Sequence, residues 1–336
     1  MTHSPTRDQV HLESVPRIPG LRFRRSRDDT DYAALADLIT ACNLADEIDY
    51  VPTAESLRIE YENKADFDPG TDLVLAEVDG RLVGYGEASR QVRDGLAVYW
   101  TFGSVLPELR RRGLGRAILR ANERRLREVA ERFDDPGGRR FGSWVNEREG
   151  GANELLGSEG YAPARYGLAM IRPSLDDLPE TALPNGLELR PVEPAQHRAI
   201  FEADNEAFRD HWGHREATDA DFAVMFESPD LDTSLWRIAW DGGEVAGSVL
   251  TWIWKAENAT LGVRRGWLEH ISVRRPWRRR GLATALIVSA LAGLRDAGMT
   301  EAMLGVDAEN LSGALRLYER LGFRVKDRST NYRKAF

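Results

Sequence analysis

The chain has 336 residues, of which 42% are hydrophobic and 30% charged, and its net charge is −8. That length fits two domains of ordinary size better than one core, and no apolar run approaches the roughly 18 residues that a membrane-spanning helix needs. The acidic balance argues against a dedicated nucleic-acid binder. The single cysteine, Cys42, rules out an internal disulfide and fits a reducing cytoplasm.

Residues 1–19 read as a surface arm without the apolar stretch of a secretory signal; Arg22, Arg24, Arg25 and Arg27 follow it. Gly20-Leu21-Arg22-Phe23-Arg24 then alternates as a first strand. A helical stretch covers Asp31 to Leu44. Two β-like runs, Leu73–Val78 and Leu82–Tyr85, flank Asp79-Gly80, a strong hairpin signal. A further strand, Ala97 to Val105, leads into Arg110-Arg111-Arg112-Gly113-Leu114-Gly115, and a helix runs from Arg116 to Phe133. Pro173 to Gly186 holds three prolines and no sustained periodicity, which predicts a linker over 173–185.

The same order then recurs. Gly186-Leu187-Glu188-Leu189-Arg190 predicts a strand, and Pro194 to Phe208 a helix. Leu235–Trp240 and Val245–Ser248 flank Asp241-Gly242. The strand Trp267 to Val273 leads into Arg278-Arg279-Arg280-Gly281-Leu282-Ala283, and a helix covers Thr284 to Ala297. Each half closes on a Gly-aromatic pair, Gly160-Tyr161 and Gly322-Phe323. The chain therefore reads as two versions of one domain, 20–172 and 186–336.

A glycine between a strand and a helix lets the backbone approach a phosphate closely, and the helix N-terminus offers unpaired N–H groups and a partial positive charge. Neighbouring arginines add attraction and bidentate contacts. The loop is not a Walker loop, since no Gly-Lys-Ser/Thr follows, nor the three-glycine dinucleotide fingerprint.

The run Val273 to Ala283 resembles the acyl-CoA-binding motif of the GNAT superfamily of N-acyltransferases, Arg/Gln-x-x-Gly-x-Gly/Ala. Downstream, Asn310, Ala314, Tyr318 and Gly322-Phe323 resemble the family's second signature, Asn-x-x-x-Ala-x-x-x-Tyr-x-x-x-Gly-Phe. The resemblance implies an α/β fold with a mixed α+β sheet in each of two tandem domains. Two neighbouring strands splay in that fold, and acyl-CoA wedges between them. It also implies acetyl-CoA as co-substrate, no metal, and an amine acceptor attacked directly in a ternary complex.

The same resemblance implies a cofactor site at Ile271, Ser272, Val273, Arg278, Arg279, Arg280, Gly281, Leu282, Ala283, Thr284 and Asn310. Asn310 also suits a helix N-cap. Transfer to an amine needs a proton acceptor, because alkyl amines are protonated below about pH 10.4. It also needs donors for the thioester oxygen, here the backbone N–H of Ile271 or Val273. If Val273 faces the cofactor, Glu269 and Ile271 share that face by the two-residue period. Glu269 is the first choice for the base, against the alternative of a structural carboxylate paired with an arginine. His270 points the other way unless a bulge re-aims it, and is second choice. Tyr318 matches the family tyrosine that protonates the departing thiolate, against the alternative of a packed helix residue.

The first half keeps the loop but has Thr101 at the Glu269 position and Leu156 at the Tyr318 position. It reads as a degenerate partner, with Val105, Arg110, Arg112, Gly113 and Gly115 forming a second CoA site if the cofactor binds there too. The segment Phe208 to Glu216 lies where the family shapes its acceptor site. His211 and His214 within it lack a third metal ligand, and most of the second half's tryptophans read as core. The competing reading is a non-catalytic acyl-CoA-binding or sensor protein. The expected assembly is a monomer or homodimer without nucleic-acid or membrane partners.

Overall fold

The structure, a computed structural model, describes residues 10, 12, 15–27, 29–309 and 313–336. The chain forms two compact units, Met1–Arg165 with Ser329–Phe336, and Tyr166–Arg328.

In the first unit the elements are β1 (Leu21–Arg25), α1 (Thr30–Ala45), α2 (Ala54–Asn63), α3 (Pro69–Asp72), β2 (Leu73–Val78), β3 (Arg81–Arg93), β4 (Leu96–Val105), α4 (Leu114–Ala130), β5 (Arg139–Asn146) and α5 (Gly150–Ser158). The strands lie in the order β1-β2-β3-β4-β5. The β2–β3 turn holds Asp79 at φ +50° and Gly80 at φ +82°, the two positive angles of a tight hairpin that Asp-Gly favours. On α4, Leu119, Leu126 and Val129 pack onto Ala88, Tyr99 and Phe141 of the sheet. Cys42 is buried in the other core of this unit, and burial pushes its thiol up to about 11, which makes it a poor nucleophile at neutral pH.

The second unit is built from β6 (Ala162–Arg172), β7 (Glu188–Leu189), α6 (His197–Phe208), α7 (Asp219–Phe226), β8 (Arg237–Asp241), β9 (Glu244–Trp252), α8 (Lys255–Leu261), β10 (Arg265–Val273), α9 (Leu282–Asp296), β11 (Glu301–Asp307) and α10 (Ala314–Arg320). Its strand order is β6-β11-β10-β9-β8-β7. One face of the sheet packs on α9 through Ala239, Val249, Leu268, Leu286 and Leu291. The other packs on α6 through Ile200, Ala203, Ile238, Leu250 and Trp252.

The last strand, β12 (Arg324–Ala335), departs from the simple tandem expected over 20–172 and 186–336. Its residues Ser329–Ala335 pair antiparallel with Asn146–Arg140 of β5 and so complete the first sheet. Gly167–Arg172 of β6 pair antiparallel with Asp307–Ala302 of β11 and complete the second. Each half of the sequence thus supplies the closing strand of the other half's sheet, and both expected domain boundaries differ from the units observed. The stretch expected as the linker, 173–185, follows β6 inside the second unit, where Leu175 is buried and Leu178 and Leu183 pack on the α9 core.

Candidate active site

β10 and β11 run parallel and pair only from Arg265–Leu268 to Glu301–Leu304. Beyond that they part. β10 continues on β9, from His270 opposite Leu250 to Val273 opposite Gly247. β11 continues on β6. A wedge opens inside one sheet, and the β10 backbone from Glu269 to Val273 has a strand partner on one side only.

The wedge starts at a β-bulge. Leu268 opposes Thr251 and His270 opposes Leu250, so Glu269 has no residue across from it. The extra residue resets the alternation. Leu268 and Ile271, three positions apart, both pack on the α9 side, while His270 meets Phe208 of α6 and Trp252 of β9 on the other. The expectation that Glu269 and Ile271 share a face through a regular period is therefore corrected. Glu269 stands out of the pleat, and His270 is set beside it on the α6 side.

The two side chains have different partners. Trp254 Nε1 donates to Glu269 Oε1 at 2.8 Å, and the Trp254 ring stacks on Trp252 at 6.1 Å between centroids, 15° off parallel. The Glu269 carboxylate reaches solvent but is ringed by protein. Burial raises its pKa, with the Trp254 bond and the charge of His270 opposing. His270 Nδ1 lies 2.6 Å from Asp204 Oδ2. Burial disfavours the imidazolium, but the charge and bond of Asp204, with the charge of Glu269, carry the net shift upward.

The loop after β10 is pinned from beneath. Arg278 Nε donates to Val273 O at 2.9 Å and Nη2 to Ala207 O at 3.2 Å, and Nη1 meets Asp210 Oδ2 at 2.6 Å. Hydrogen bonds from Arg275 and Arg278 hold the Asp210 carboxyl well below the usual range. Arg278, expected as a cofactor ligand, is thus occupied in tying the loop to β10 and α6. Arg279, at φ +62°, and Arg280 are exposed and carry no hydrogen bond or ion pair among the described residues. Gly281 caps α9 at φ +84°, an angle that L side chains avoid, and no side chain caps the helix. The N–H groups of Leu282, Ala283 and Thr284 in the first turn therefore have no partner within the helix. The Leu282 side chain is core, and Ser272 Oγ is shared with Ser248 Oγ at 2.9 Å, so neither side chain is free for a ligand. Ile271 and Val273 pack half-buried on the same core.

Tyr318 of α10 is buried in that core, edge-on to Phe323. Burial alone pushes its hydroxyl up to about 12. Asn310 lies outside the described residues. His211 packs on Phe208 at 4.4 Å between centroids, tilted by 49°, and His214 Nε2 is 3.6 Å from Glu216. Among the described residues no three His, Cys, Asp or Glu are placed to hold a metal, and no helix is long and apolar enough to cross a membrane.

Two site residues escaped the sequence reading. Trp254 gave no signal beyond its type. Asp204 did give one, because it falls on the apolar stripe of α6 between Phe201 and Ala207, where a carboxylate needs a partner.

The first unit repeats the frame without a carboxylate or an imidazole at the corresponding strand positions, Thr101 and Phe102. β4 and β5 pair only from Ala97–Trp100 to Arg139–Gly142 and then part. Arg110 Nε donates to Val105 O at 3.0 Å, and its guanidinium clasps Asp46, repeating Arg278, Val273 and Asp210. Arg111 at φ +62° and Gly113 at φ +89° repeat Arg279 and Gly281. Arg112 is exposed and Gly115 half-buried in the first turn of α4. β4, however, has no bulge; its register with β3 is unbroken. Thr101 is buried, accepting from Asn122 Nδ2 at 2.9 Å, and Ser143 Oγ bonds Thr101 O at 2.9 Å, tying the two strands together where they part. Leu156 is core. The nearby carboxylate, Glu87 on β3, is taken up by Lys64, Tyr61 and Ser89.

A mixed sheet that splays beside a glycine-capped helix is the frame the sequence led us to expect of an acyl transferase, and comparison with known proteins shows that class. The chain belongs to the acetyltransferase (GNAT) family, whose pattern matches residues 34–133 and 197–323. It is 29% identical over 317 residues to a mycothiol acetyltransferase of Geodermatophilus obscurus, covering 92% of this chain and 96% of that one. Among solved structures it resembles a GCN5-related N-acetyltransferase from Sphaerobacter thermophilus, with a TM-score of 0.71 and 29% identity over 94% of this chain and 95% of that one. In fold it also resembles a tandem GNAT protein of the clavulanic acid pathway, with a TM-score of 0.67 and 18% identity over 93% and 98% of the two chains.

Proposed function

We propose that the second unit moves the acetyl group of acetyl-CoA to a primary amine in a ternary complex, while the first unit serves as a degenerate partner. The observation that carries this reading is the bulge at the apex of the β10–β11 wedge, which sets Glu269 and His270 where two strands of one sheet separate. The wedge and the uncapped first turn of α9 fit a long cofactor with a pyrophosphate. Arg279, Arg280, Gly281 and the N–H groups of Leu282, Ala283 and Thr284 would hold the phosphates, with Asn310 as a further contact. The one-sided β10 backbone would receive the acyl arm, and N–H of Ile271 or Val273 would polarise the thioester oxygen. Glu269 takes the proton that the amine must lose, and Tyr318 gives one to the leaving thiolate. In the first unit, Val105, Arg110, Arg112, Gly113 and Gly115 keep the frame of a CoA site without a base or acid.

The identity to mycothiol acetyltransferases over nearly the whole chain supports the amine of deacetylated mycothiol as acceptor. The charged and aromatic segment after α6 suits a polar amine of that kind. The test is calorimetric titration of acetyl-CoA into the parent, Gly281→Glu and Gly113→Glu, followed by thiol release with deacetylated mycothiol, glucosamine and lysine as acceptors. A side chain at φ +84° costs about 1–2 kcal/mol, and a carboxylate beside a pyrophosphate adds repulsion. Gly281→Glu should therefore lose about 100-fold or more in affinity together with turnover, and Gly113→Glu should keep turnover. Equal turnover in the parent and Gly281→Glu would overturn the assignment to the second unit.

A further inference from the structure

We infer that Asp204 is a positioning residue that holds His270 as a second proton acceptor beside Glu269, so that this one apex handles both protons shed by the amine. The inference rests on the acetyl-transfer reading above.

The need comes from the balance of the reaction. An alkyl amine arrives protonated. It must lose one proton to attack and a second once the C–N bond has formed, while the C–S bond breaks and the thiolate gains one. The sum is R–NH3⁺ plus acetyl-CoA giving the N-acetyl amide, CoA–SH and one proton to solvent. With Tyr318 supplying the thiolate, two acceptors at the nitrogen are wanted, and one carboxylate is a single acceptor.

The geometry supplies the second. The bulge makes neighbours in sequence, Glu269 and His270, neighbours at the head of one wedge. Both flank the same indole pair: Trp254 bonds Glu269, and Trp252, stacked on Trp254, lies 6.3 Å from the His270 ring. Asp204 is 5% exposed and directs Oδ2 at His270 Nδ1, 2.6 Å away, while its Oδ1 is buried without a partner. A buried carboxylate with one oxygen unpaired is costly, and a structural tie from α6 to β10 would not require one. With Nδ1 engaged, the proton bound for solvent is taken and released at Nε2, the arrangement in which a carboxylate fixes the tautomer of a histidine base.

The titratable groups that face His270 are Asp204 from α6, Glu269 from β10 and, beyond the end of α6, His211, which shares the Phe208 ring. β9 presents Leu250 and Trp252, which do not titrate. The first unit has no such pair, since its β4 lacks the bulge and buries Thr101 there.

The experiment compares the parent with Asp204→Asn, Asp204→Glu and His270→Gln, using acetyl-CoA and the best acceptor of the screen above, with kcat, KM and kcat/KM recorded from pH 5 to 10. Asp204→Asn should lower kcat by about 10–100-fold with both KM values within about threefold. Its acid limb should move to lower pH, because the charge that raises the pH at which His270 takes up its proton is gone. Asp204→Glu should recover part of the rate, and His270→Gln should lose the same limb. An Asp204→Asn protein that melts like the parent and keeps the parent's kcat and acid limb would overturn the inference while leaving acetyl transfer intact. Failure of the parent itself to acetylate any amine would overturn the functional reading and this inference with it.

Discussion

A Tyr318→Phe protein is expected to bind acetyl-CoA as the parent does and to turn over about 100-fold more slowly, the scale of one general acid. Phenylalanine keeps the ring that fills the core between α10 and Phe323, so packing and cofactor affinity change little. Only the hydroxyl is lost. Burial pushes that hydroxyl up to about 12, so the parent carries it protonated throughout the neutral range and no alkaline limb from Tyr318 should appear below about that pH. In the proposed mechanism the thiolate would otherwise leave as an anion into a wedge with an apolar wall. On the acid side the sign is opposite. Burial raises the Glu269 carboxyl, so its proton-accepting form is depleted as pH falls through that raised value, earlier than for an ordinary glutamate. The measurement is thiol release against pH with calorimetry of acetyl-CoA alongside. A Tyr318→Phe rate within about threefold of the parent at neutral pH would remove the tyrosine from the mechanism.

Local patterns marked what is local. The Asp-Gly hairpins, the strand before each basic loop and the amphipathic helix after it all lie where alternation and helical period put them, because each is set by neighbours within a few residues. Gly113 and Gly281 were legible for the same reason, and the structure holds both at strongly positive φ. What the arginines do was not. Arg110 and Arg278 sit in phosphate-loop motifs yet spend their guanidinium groups on Asp46 and Asp210, 64 and 68 residues away, and no local pattern specifies such partners. The helices α2, α7 and α8 are short and capped or packed by tertiary neighbours, below the length at which periodicity alone marks a helix. The bulge at Glu269 is invisible for a related reason: an inserted residue shows only against the strand it fails to pair with. Which sheet the strand after each Gly-aromatic pair closes was not legible on the same ground. An alternating strand states which face is buried, not which edge it will join.

That exchange of closing strands predicts the largest effect on stability. A chain ending at residue 328 should lose the first unit while the second stays folded. Seven residues, Ser329–Ala335, pair with β5, and their removal leaves β5 as a bare edge over the first unit's core. Tyr332 is buried there, and its Oη bonds Asn153 Oδ1 at 2.8 Å. Phe336 stacks on Phe141 at 4.5 Å between centroids, and Lys334 meets the buried carboxylate of Glu123 at 2.6 Å. Truncating one large buried aromatic costs about 3–5 kcal/mol, and a whole domain is stable by about 5–15 kcal/mol. A terminal segment that carries Tyr332, Phe336 and the partner of a buried charge is thus a large share of the total. The second unit keeps its own closing strand, β6, paired with β11. Amide hydrogen exchange reads the two units separately. In the shortened chain, β4 and β5 should exchange at unfolded rates while β9 and β10 keep the parent's protection. Tyr332→Ala, a milder change, should lower the stability of the first unit by about 3 kcal/mol. Full protection of β4 and β5 in the shortened chain would mean that the first core closes without the last strand, and the exchange would then be an ornament of the fold rather than a condition of it.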